Sequence, residues 1–127
     1  MKRKTFLFSV IALFLLMGGM GCEKNEPLPP AQAILGKWEL INYGGSPVTP
    51  TGYREFLPSG IVREYDYEKR QHTPFECEYS ILNDTVLLIC GHRHEYRFFE
   101  DKMRLFPLDL VFIRDPTQIY QRKKQKQ

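Results

Sequence analysis

The sequence lacks the features that identify several common classes of enzyme and integral membrane protein. It has no phosphate-binding glycine loop, no Gly-x-Ser-x-Gly motif and no HExxH motif, so we expect neither enzymatic activity nor a cofactor. Its longest apolar run, residues 6–17, is twelve residues long, whereas a membrane-spanning helix needs about 20. No segment keeps a helical period of apolar residues, so the chain is predicted to be all-β.

An excess of charge is also missing once the first residues are set aside. The formal net charge of +3 comes from 18 Lys and Arg residues against 15 Asp and Glu residues. Lys2, Arg3 and Lys4 account for the whole excess, and the rest of the chain is close to neutral. A nucleic-acid partner is therefore not expected, because such partners are bound through surplus basic side chains. Residues 123–127 form a basic tail, which is interpreted as a solvated terminus.

The first 22 residues have the organisation of a secretory signal. Three basic residues precede the apolar run, and small residues follow it as far as Gly21 and Cys22. This end resembles the lipobox of bacterial lipoproteins, in which a small residue precedes a cysteine that receives a diacylglyceryl group. The resemblance implies a signal peptide over residues 1–21 and a lipid on Cys22. It also implies a location in the cell envelope, anchored to a bacterial membrane.

The resemblance favours the outer membrane, with the domain in the periplasm or at the cell surface. Residues 23–33 (EKNEPLPPAQA) are polar, carry three prolines and show no periodicity. Residues 22–33 are therefore predicted to be the lipidated cysteine and a flexible tether. Residues 34–122 then make one small domain.

Turn signals divide that domain into short segments rich in β-forming residues. Strands are predicted at residues 36–43, 53–57, 61–67, 75–82, 85–90, 94–99, 102–106, 108–114 and 118–122. Successive short strands favour an antiparallel up-and-down meander. Eight such strands can close into a β-barrel, which removes the exposed strand edges.

The stretch FECEYSILNDTVLLIC, residues 75–90, predicts a hairpin. Asn83 and Asp84 are residues that tolerate turn conformations and hydrogen-bond their own backbone. A two-residue loop pairs Leu82 with Thr85, and a four-residue loop with the same centre keeps the same register of the two strands.

That register puts Cys77 directly opposite Cys90, at a separation that a disulfide can bridge. It also places four apolar side chains on the same face as the cysteines: Tyr79, Ile81, Val86 and Leu88. Two small buried thiols are the alternative to a disulfide. A disulfide agrees with export to an oxidising compartment, and it leaves the third cysteine, Cys22, for the lipid.

The first predicted strand begins with Gly36 and Trp38 in the segment GKW. This segment looks like the Gly-x-Trp signature of lipocalins, and the domain is similar to the small lipocalin-like domains of bacterial lipoproteins. In lipocalins the tryptophan plugs the closed end of the barrel, and an arginine on the last strand packs over its ring. Arg122 stands at the matching position. The resemblance implies an eight-stranded lipocalin-like barrel with a non-catalytic binding function.

Aromatic residues make up 13% of the chain, and strand alternation points several of them to one side. The candidate ligand-lining residues are Leu40, Phe56, Tyr96 and Phe98. They favour a small apolar ligand inside the barrel. The alternative is a filled core, with the domain acting as an envelope inhibitor or accessory subunit that binds another protein through loops 44–51 and 69–74.

The closest approach to a metal or nucleophile cluster is Cys90-x-His92-x-His94, whose members could share one face of a strand. A disulfide-bonded Cys90 can neither ligate a metal nor attack a carbonyl, and His92 is expected in the turn after Gly91. We therefore assign neither a metal site nor a catalytic residue.

Overall fold

A computed structural model describes residues 28–109 and 114–124. Its elements are α1 (Pro30–Ala33), β1 (Gly36–Tyr43), β2 (Ser46–Pro47), β3 (Gly52–Phe56), β4 (Ile61–Asp66), β5 (Gln71–Ile81), β6 (Val86–Ile89), β7 (His92–Phe99), β8 (Lys102–Pro107) and β9 (Gln118–Arg122). Within these two ranges, no helix has the length and apolarity that crossing a bilayer demands. The helix α1, of four residues, lies in the stretch that was predicted to be a tether.

The strands form one closed antiparallel barrel. From β3 to β9, each strand pairs with the next along the chain, while β1 pairs with β3 on one side and with β9 on the other. The two-residue β2 pairs only with the end of β1, as a small flap outside the closed ring. The remaining eight strands complete the barrel, so the predicted all-β up-and-down barrel is confirmed.

The two ends of the barrel differ. One end, called the helix end, carries α1 and the turns at residues 57–60, 82–85 and 100–101. The other, called the open end, carries loop 44–51, the turns at residues 67–70 and 90–91, and the connection from β8 to β9. Each strand runs from one end to the other, so neighbouring inward side chains on a strand lie at successive depths.

Side chains fill the interior toward the helix end. Met103 and Leu105 on β8 alternate with partly exposed residues and are fully buried. Trp38 and Phe56 are each 1% exposed. Burying such side chains stabilises the fold by about 1.5–3 kcal/mol each. This half of the barrel interior is therefore a packed core.

The β5–β6 hairpin has a register one residue away from the predicted one. Ile81 pairs with Leu87, and Leu82 does not pair with Thr85. The Asn83 side-chain oxygen accepts a hydrogen bond from the Thr85 backbone N–H at 2.9 Å, and another from the following N–H. The loop therefore has three residues, 83–85, a length that shifts the pairing by one.

The shift changes which side chains of β6 face the core. Leu87 and Ile89 are buried, and Tyr79 pairs with Ile89. Val86 and Leu88, which the predicted register placed beside the cysteines, are only partly buried on the other face. A one-residue slip exchanges the two faces of a strand, because side chains alternate with a period of two.

The prediction of a loop over residues 69–74 is wrong for most of its length. Strand β5 begins at Gln71, so only Lys69 and Arg70 remain in the turn. Pro74 lies where the register between β4 and β5 shifts. A proline is tolerated at such a position because a ladder hydrogen bond is already missing there.

Two other boundaries differ from the prediction. Cys90 and Gly91 have φ angles of 55° and 82° and form the two-residue turn between β6 and β7. His92 therefore begins β7 and does not lie in the turn. The predicted strand 108–114 is not seen at its described positions, because residues 108, 109 and 114 form bends. Residues 110–113 lie outside the described part of the chain.

Candidate functional site

The Gly-x-Trp segment and the last strand meet at the helix end. The Arg122 guanidinium carbon lies 4.3 Å from the centroid of the Trp38 ring. Its Nη1 donates to the Leu35 carbonyl at 2.8 Å, and its Nη2 donates to the Ala33 carbonyl at 2.6 Å. The Trp38 indole N–H donates to the Ile34 carbonyl at 2.8 Å. These bonds fasten α1 and the residues after it over the end of the barrel.

Gly36 allows this arrangement. Its φ angle is 116°, a backbone conformation that residues other than glycine rarely adopt. A Cβ atom there would lie 3.2 Å from Nη1 of Arg122. The three residues of the predicted signature are thus brought together at the helix end.

The structure places Cys77 and Cys90 within disulfide-bonding distance, with their Cα atoms 5.3 Å apart. Cys77 lies on β5, and Cys90 lies in the turn that follows β6. The Cys90 N–H donates to the Glu78 carbonyl at 2.9 Å, so Cys90 is one residue out of line with Cys77. The prediction that these two cysteines lie at disulfide distance is confirmed, although they do not face each other directly. Cys22 lies outside the described residues.

A cavity of about 570 Å³ occupies the open end. Leu40 and Tyr120 supply apolar surface, and Arg54, Glu64 and Gln118 supply polar groups. Of the four candidate ligand-lining residues, only Leu40 borders this cavity.

The central polar feature of the cavity is the ion pair between Arg54 and Glu64. The Arg54 Nη2 lies 2.9 Å from Glu64 Oε2, and Nε donates to the same oxygen at 3.3 Å. The guanidinium carbon lies 5.4 Å from the Phe75 ring centroid and 5.6 Å from the Tyr120 ring centroid. The Arg54 side chain is only 19% exposed. Two aromatic rings and a carboxylate therefore hold the guanidinium in a fixed place.

Burial shifts the pKa values of two side chains near this pair. Burial is the main cause that lowers the pKa of His94, and the positive charge of Arg54 lowers it further. The contact between His94 Nδ1 and the His92 carbonyl, at 3.0 Å, acts in the opposite direction. Burial raises the pKa of the Tyr120 hydroxyl, which donates to Gln118 at 2.9 Å. His94 and Tyr120 are therefore uncharged at neutral pH.

The other three candidate ligand-lining residues lie elsewhere. Phe56 is part of the packed core. Tyr96 and Phe98 border a second cavity of about 1160 Å³ beside α1, together with Trp38. The Tyr96 hydroxyl donates to the Asn83 carbonyl at 2.7 Å, which fixes that ring to the hairpin loop.

Arg54 and Glu64 were not among the candidates from the sequence, although a signal was present. In YREF and IVREY, Arg54 lies two residues from Phe56, and Glu64 lies two residues from Val62. Because alternate residues of a strand share a face, two inward apolar residues imply two inward charges. Charged residues usually lie on the outside of a small barrel, so an inward ion pair was not predicted.

No group of three His, Cys, Asp or Glu side chains in residues 28–109 and 114–124 is arranged to hold a metal ion. His92 and His94 border a smaller cavity of about 180 Å³ near Asp109. Arg93 holds Asp109 there through a contact of 2.7 Å. The hydrogen bonds from Arg93 lower the pKa of the Asp109 carboxyl.

The outside of β3 and β4 carries a cluster of three tyrosines, Tyr53, Tyr65 and Tyr67, here called the tyrosine face. The Tyr53 and Tyr65 rings stack with their centroids 5.0 Å apart, and Tyr67 lies 6.2 Å from Tyr65. The Lys37 ammonium lies 4.9 Å from the Tyr53 centroid. The Tyr67 hydroxyl donates to Glu39, and burial together with this bond raises the pKa of Tyr67.

Comparison with protein-family models and with curated sequences gives no match. No protein-family model matches the chain, and no curated protein sequence matches it. Its function must therefore be argued from the geometry of the barrel itself.

Proposed function

We propose that this chain is a lipid-anchored protein of the bacterial cell envelope whose barrel binds a small ligand at the open end, without catalysing a reaction. The observation that carries the proposal is the cavity of about 570 Å³. Ligand-binding cavities commonly have volumes of about 300–1,000 Å³ and combine apolar walls with a few fixed polar groups. Leu40 and Tyr120 offer the apolar wall, and the Arg54–Glu64 pair offers the polar groups.

The native mass of residues 23–127, exported to an oxidising compartment and purified without detergent, tests this proposal. A bound molecule adds mass that disappears on denaturation. Leu40→Trp fills the cavity and should abolish the added mass. Leu88→Trp is the matched control, because Leu88 lies on the outside of β6 between two buried residues. A bare mass for the unsubstituted chain, even after incubation with envelope extract, would contradict ligand carriage.

Support for the anchor comes from the signal-like segment before Cys22 and from the cysteine pair. A Cys77–Cys90 disulfide, which we include in the proposal, requires an oxidising compartment such as the periplasm. Cys22→Ala is expected to move the protein from the membrane fraction to the soluble periplasmic fraction. Cys77→Ala should leave the anchoring unchanged. Membrane retention of the Cys22 variant would remove the lipid anchor from the proposal.

The tyrosine face favours a second function, which is binding to another envelope protein. Tyrosine is enriched in protein interfaces, where its ring offers a large contact area with little loss of conformational entropy. A photocrosslinking amino acid in place of Tyr65 should then give one discrete adduct in cells. The same amino acid in place of Leu88, on the outside of β6, is the control. Equal crosslinking from both positions would remove this second function.

A further inference from the structure

We infer that the open-end cavity selects an uncharged ligand that carries hydroxyl groups, with the Arg54–Glu64 pair as its recognition element. This inference rests on the proposed ligand-binding function and narrows it to a chemical class.

The pair borders the cavity and leaves one donor group and one acceptor atom without a partner among the described residues. Both N–H groups that Arg54 gives to Glu64 go to the same oxygen, Oε2. Among the described residues, none accepts a hydrogen bond from Nη1 of Arg54, and none donates to Oε1 of Glu64. A hydroxyl group both donates and accepts, so neighbouring hydroxyls can satisfy Nη1 and Oε1 together.

A charged ligand fits this arrangement less well. A carboxylate that binds Arg54 approaches the negative charge of Glu64, and an ammonium that binds Glu64 approaches the guanidinium. Even a charged ligand that uses only Nη1 or Oε1 brings its charge close to the like-charged member of a partly buried pair, and this repulsion opposes binding. An uncharged ligand leaves the ion pair intact.

The remaining walls are compatible with the same class. Asp66 borders the cavity, with its Oδ1 already accepting hydrogen bonds from two backbone N–H groups. Tyr120 is uncharged at neutral pH, and Thr73 and Gln118 also border the cavity. These groups offer neutral donors and acceptors, while Leu40 and the Tyr120 ring offer a surface for the carbon skeleton. An alkyl glycoside, which joins hydroxyl groups to a short apolar chain, is therefore a suitable probe.

Three probes with the same six-carbon tail separate the effect of the head group: hexyl β-D-glucopyranoside, hexanoate and hexylammonium. Each is titrated at neutral pH into residues 23–127, a chain that includes every strand of the closed barrel. Calorimetry gives Kd, and the NMR signal of the Arg54 side-chain N–H reports binding at the pair. We expect the glucoside to bind at least about tenfold more tightly than either charged probe, because each charged probe is repelled by the like-charged member of the pair.

Variants of the pair should change the preference in opposite directions. Glu64→Gln leaves the guanidinium uncompensated and should strengthen hexanoate binding about tenfold. Arg54→Gln leaves the Glu64 carboxylate uncompensated and should strengthen hexylammonium binding about tenfold. Glu55→Gln is the matched control, because Glu55 pairs with Arg63 on the outside of the barrel. That variant should leave all three affinities unchanged.

The outcomes distinguish the inference from the function on which it rests. Tighter binding of hexanoate or hexylammonium than of the glucoside by the unsubstituted chain overturns the inference and leaves ligand binding in place. Binding of the glucoside that is unaffected by Glu64→Gln also overturns it, even where Arg54→Gln fails to fold. If none of the three probes binds and no Arg54 signal moves, both the inference and the proposed cavity function are overturned.

Discussion

The Arg122 guanidinium lies over the Trp38 ring, with its carbon 4.3 Å from the ring centroid, and it also donates to the carbonyls of Ala33 and Leu35. One side chain of the last strand therefore contacts the first strand and the helix before it. The contact joins the two ends of the domain at the packed end of the barrel. Because Arg122 does not border the open-end cavity, we expect its loss to reduce the stability of the fold.

Arg122→Met should lower the free energy of unfolding by about 2 kcal/mol. The variant loses a cation–π contact, which contributes about 0.5–2 kcal/mol, and two charge-assisted hydrogen bonds. Urea denaturation measures the change. Arg97→Met, at an exposed position on β7, is the control and should change stability by less than about 0.5 kcal/mol. Equal losses in the two variants would show that Arg122 contributes no more than a surface arginine.

Reduction of the Cys77–Cys90 pair should lower the free energy of unfolding by about 3 kcal/mol. The two cysteines are separated by 13 positions, and cross-linking a loop of about this length restricts the unfolded chain to that extent. Thermal melting with and without reductant measures the effect. The double variant Cys77→Ala/Cys90→Gly should melt at the same temperature with and without reductant. Glycine is chosen at position 90 because Cys90 has a positive φ angle. Identical melting of the unsubstituted chain under both conditions would contradict the disulfide.

Lowering the pH should destabilise the protein partly through His94. Because the folded-state pKa of His94 lies below its usual value, the unfolded chain takes up a proton first as the pH falls through about 6.5. This contribution to stability is complete above about pH 6.5 and is lost as the pH falls toward the folded-state pKa. Unfolding free energies at about pH 7.5 and 5.5 should differ less in His94→Gln than in the unsubstituted chain. His72→Gln, exposed on β5, is the control, and an unchanged difference in the His94 variant would contradict the assignment.

Gly52→Ala should lower the free energy of unfolding by about 3 kcal/mol, because the added Cβ would overlap the Tyr65 carbonyl oxygen on the neighbouring strand. Backbone atoms cannot move aside as a flexible side chain does. Gly45→Ala is the comparison. No atom lies within 4 Å of its added Cβ, and only the positive φ of 90° opposes the substitution. Gly45→Ala should lower the free energy of unfolding by about 1 kcal/mol. A smaller loss for residue 52 than for residue 45 in urea denaturation would show that the strands separate easily at Gly52.

The sequence predicted the class of fold because turn residues are locally encoded. Gly44, Gly60 and Gly91 have positive φ angles and separate strands at the places where turns were expected. The register of the β5–β6 hairpin was harder to predict, since it depends on whether the loop after Leu82 has two, three or four residues. Asn83 decides this through hydrogen bonds to the two N–H groups after Asp84, a detail that composition does not reveal.

The candidate site was less accessible to sequence reasoning. Phe56 and Leu40 both point inward, as alternation predicted, but only the depth of each residue along the barrel decides whether it meets core or cavity. Depth depends on the stagger between strands, and stagger depends on registers and bulges that are set by long-range pairing. Arg54 and Glu64 show the same limit, because their inward orientation is local while their ion pair joins two strands.

The pairing of β9 with β1 has a consequence for how the protein is made. A ribosome produces β1 first and β9 last, so the hydrogen-bonding edge of β1 that β9 covers stays open until the final strand is available. Contacts between such distant segments slow folding, since a long loop must close before they form. The barrel therefore cannot be completed until its eighth strand has been synthesised.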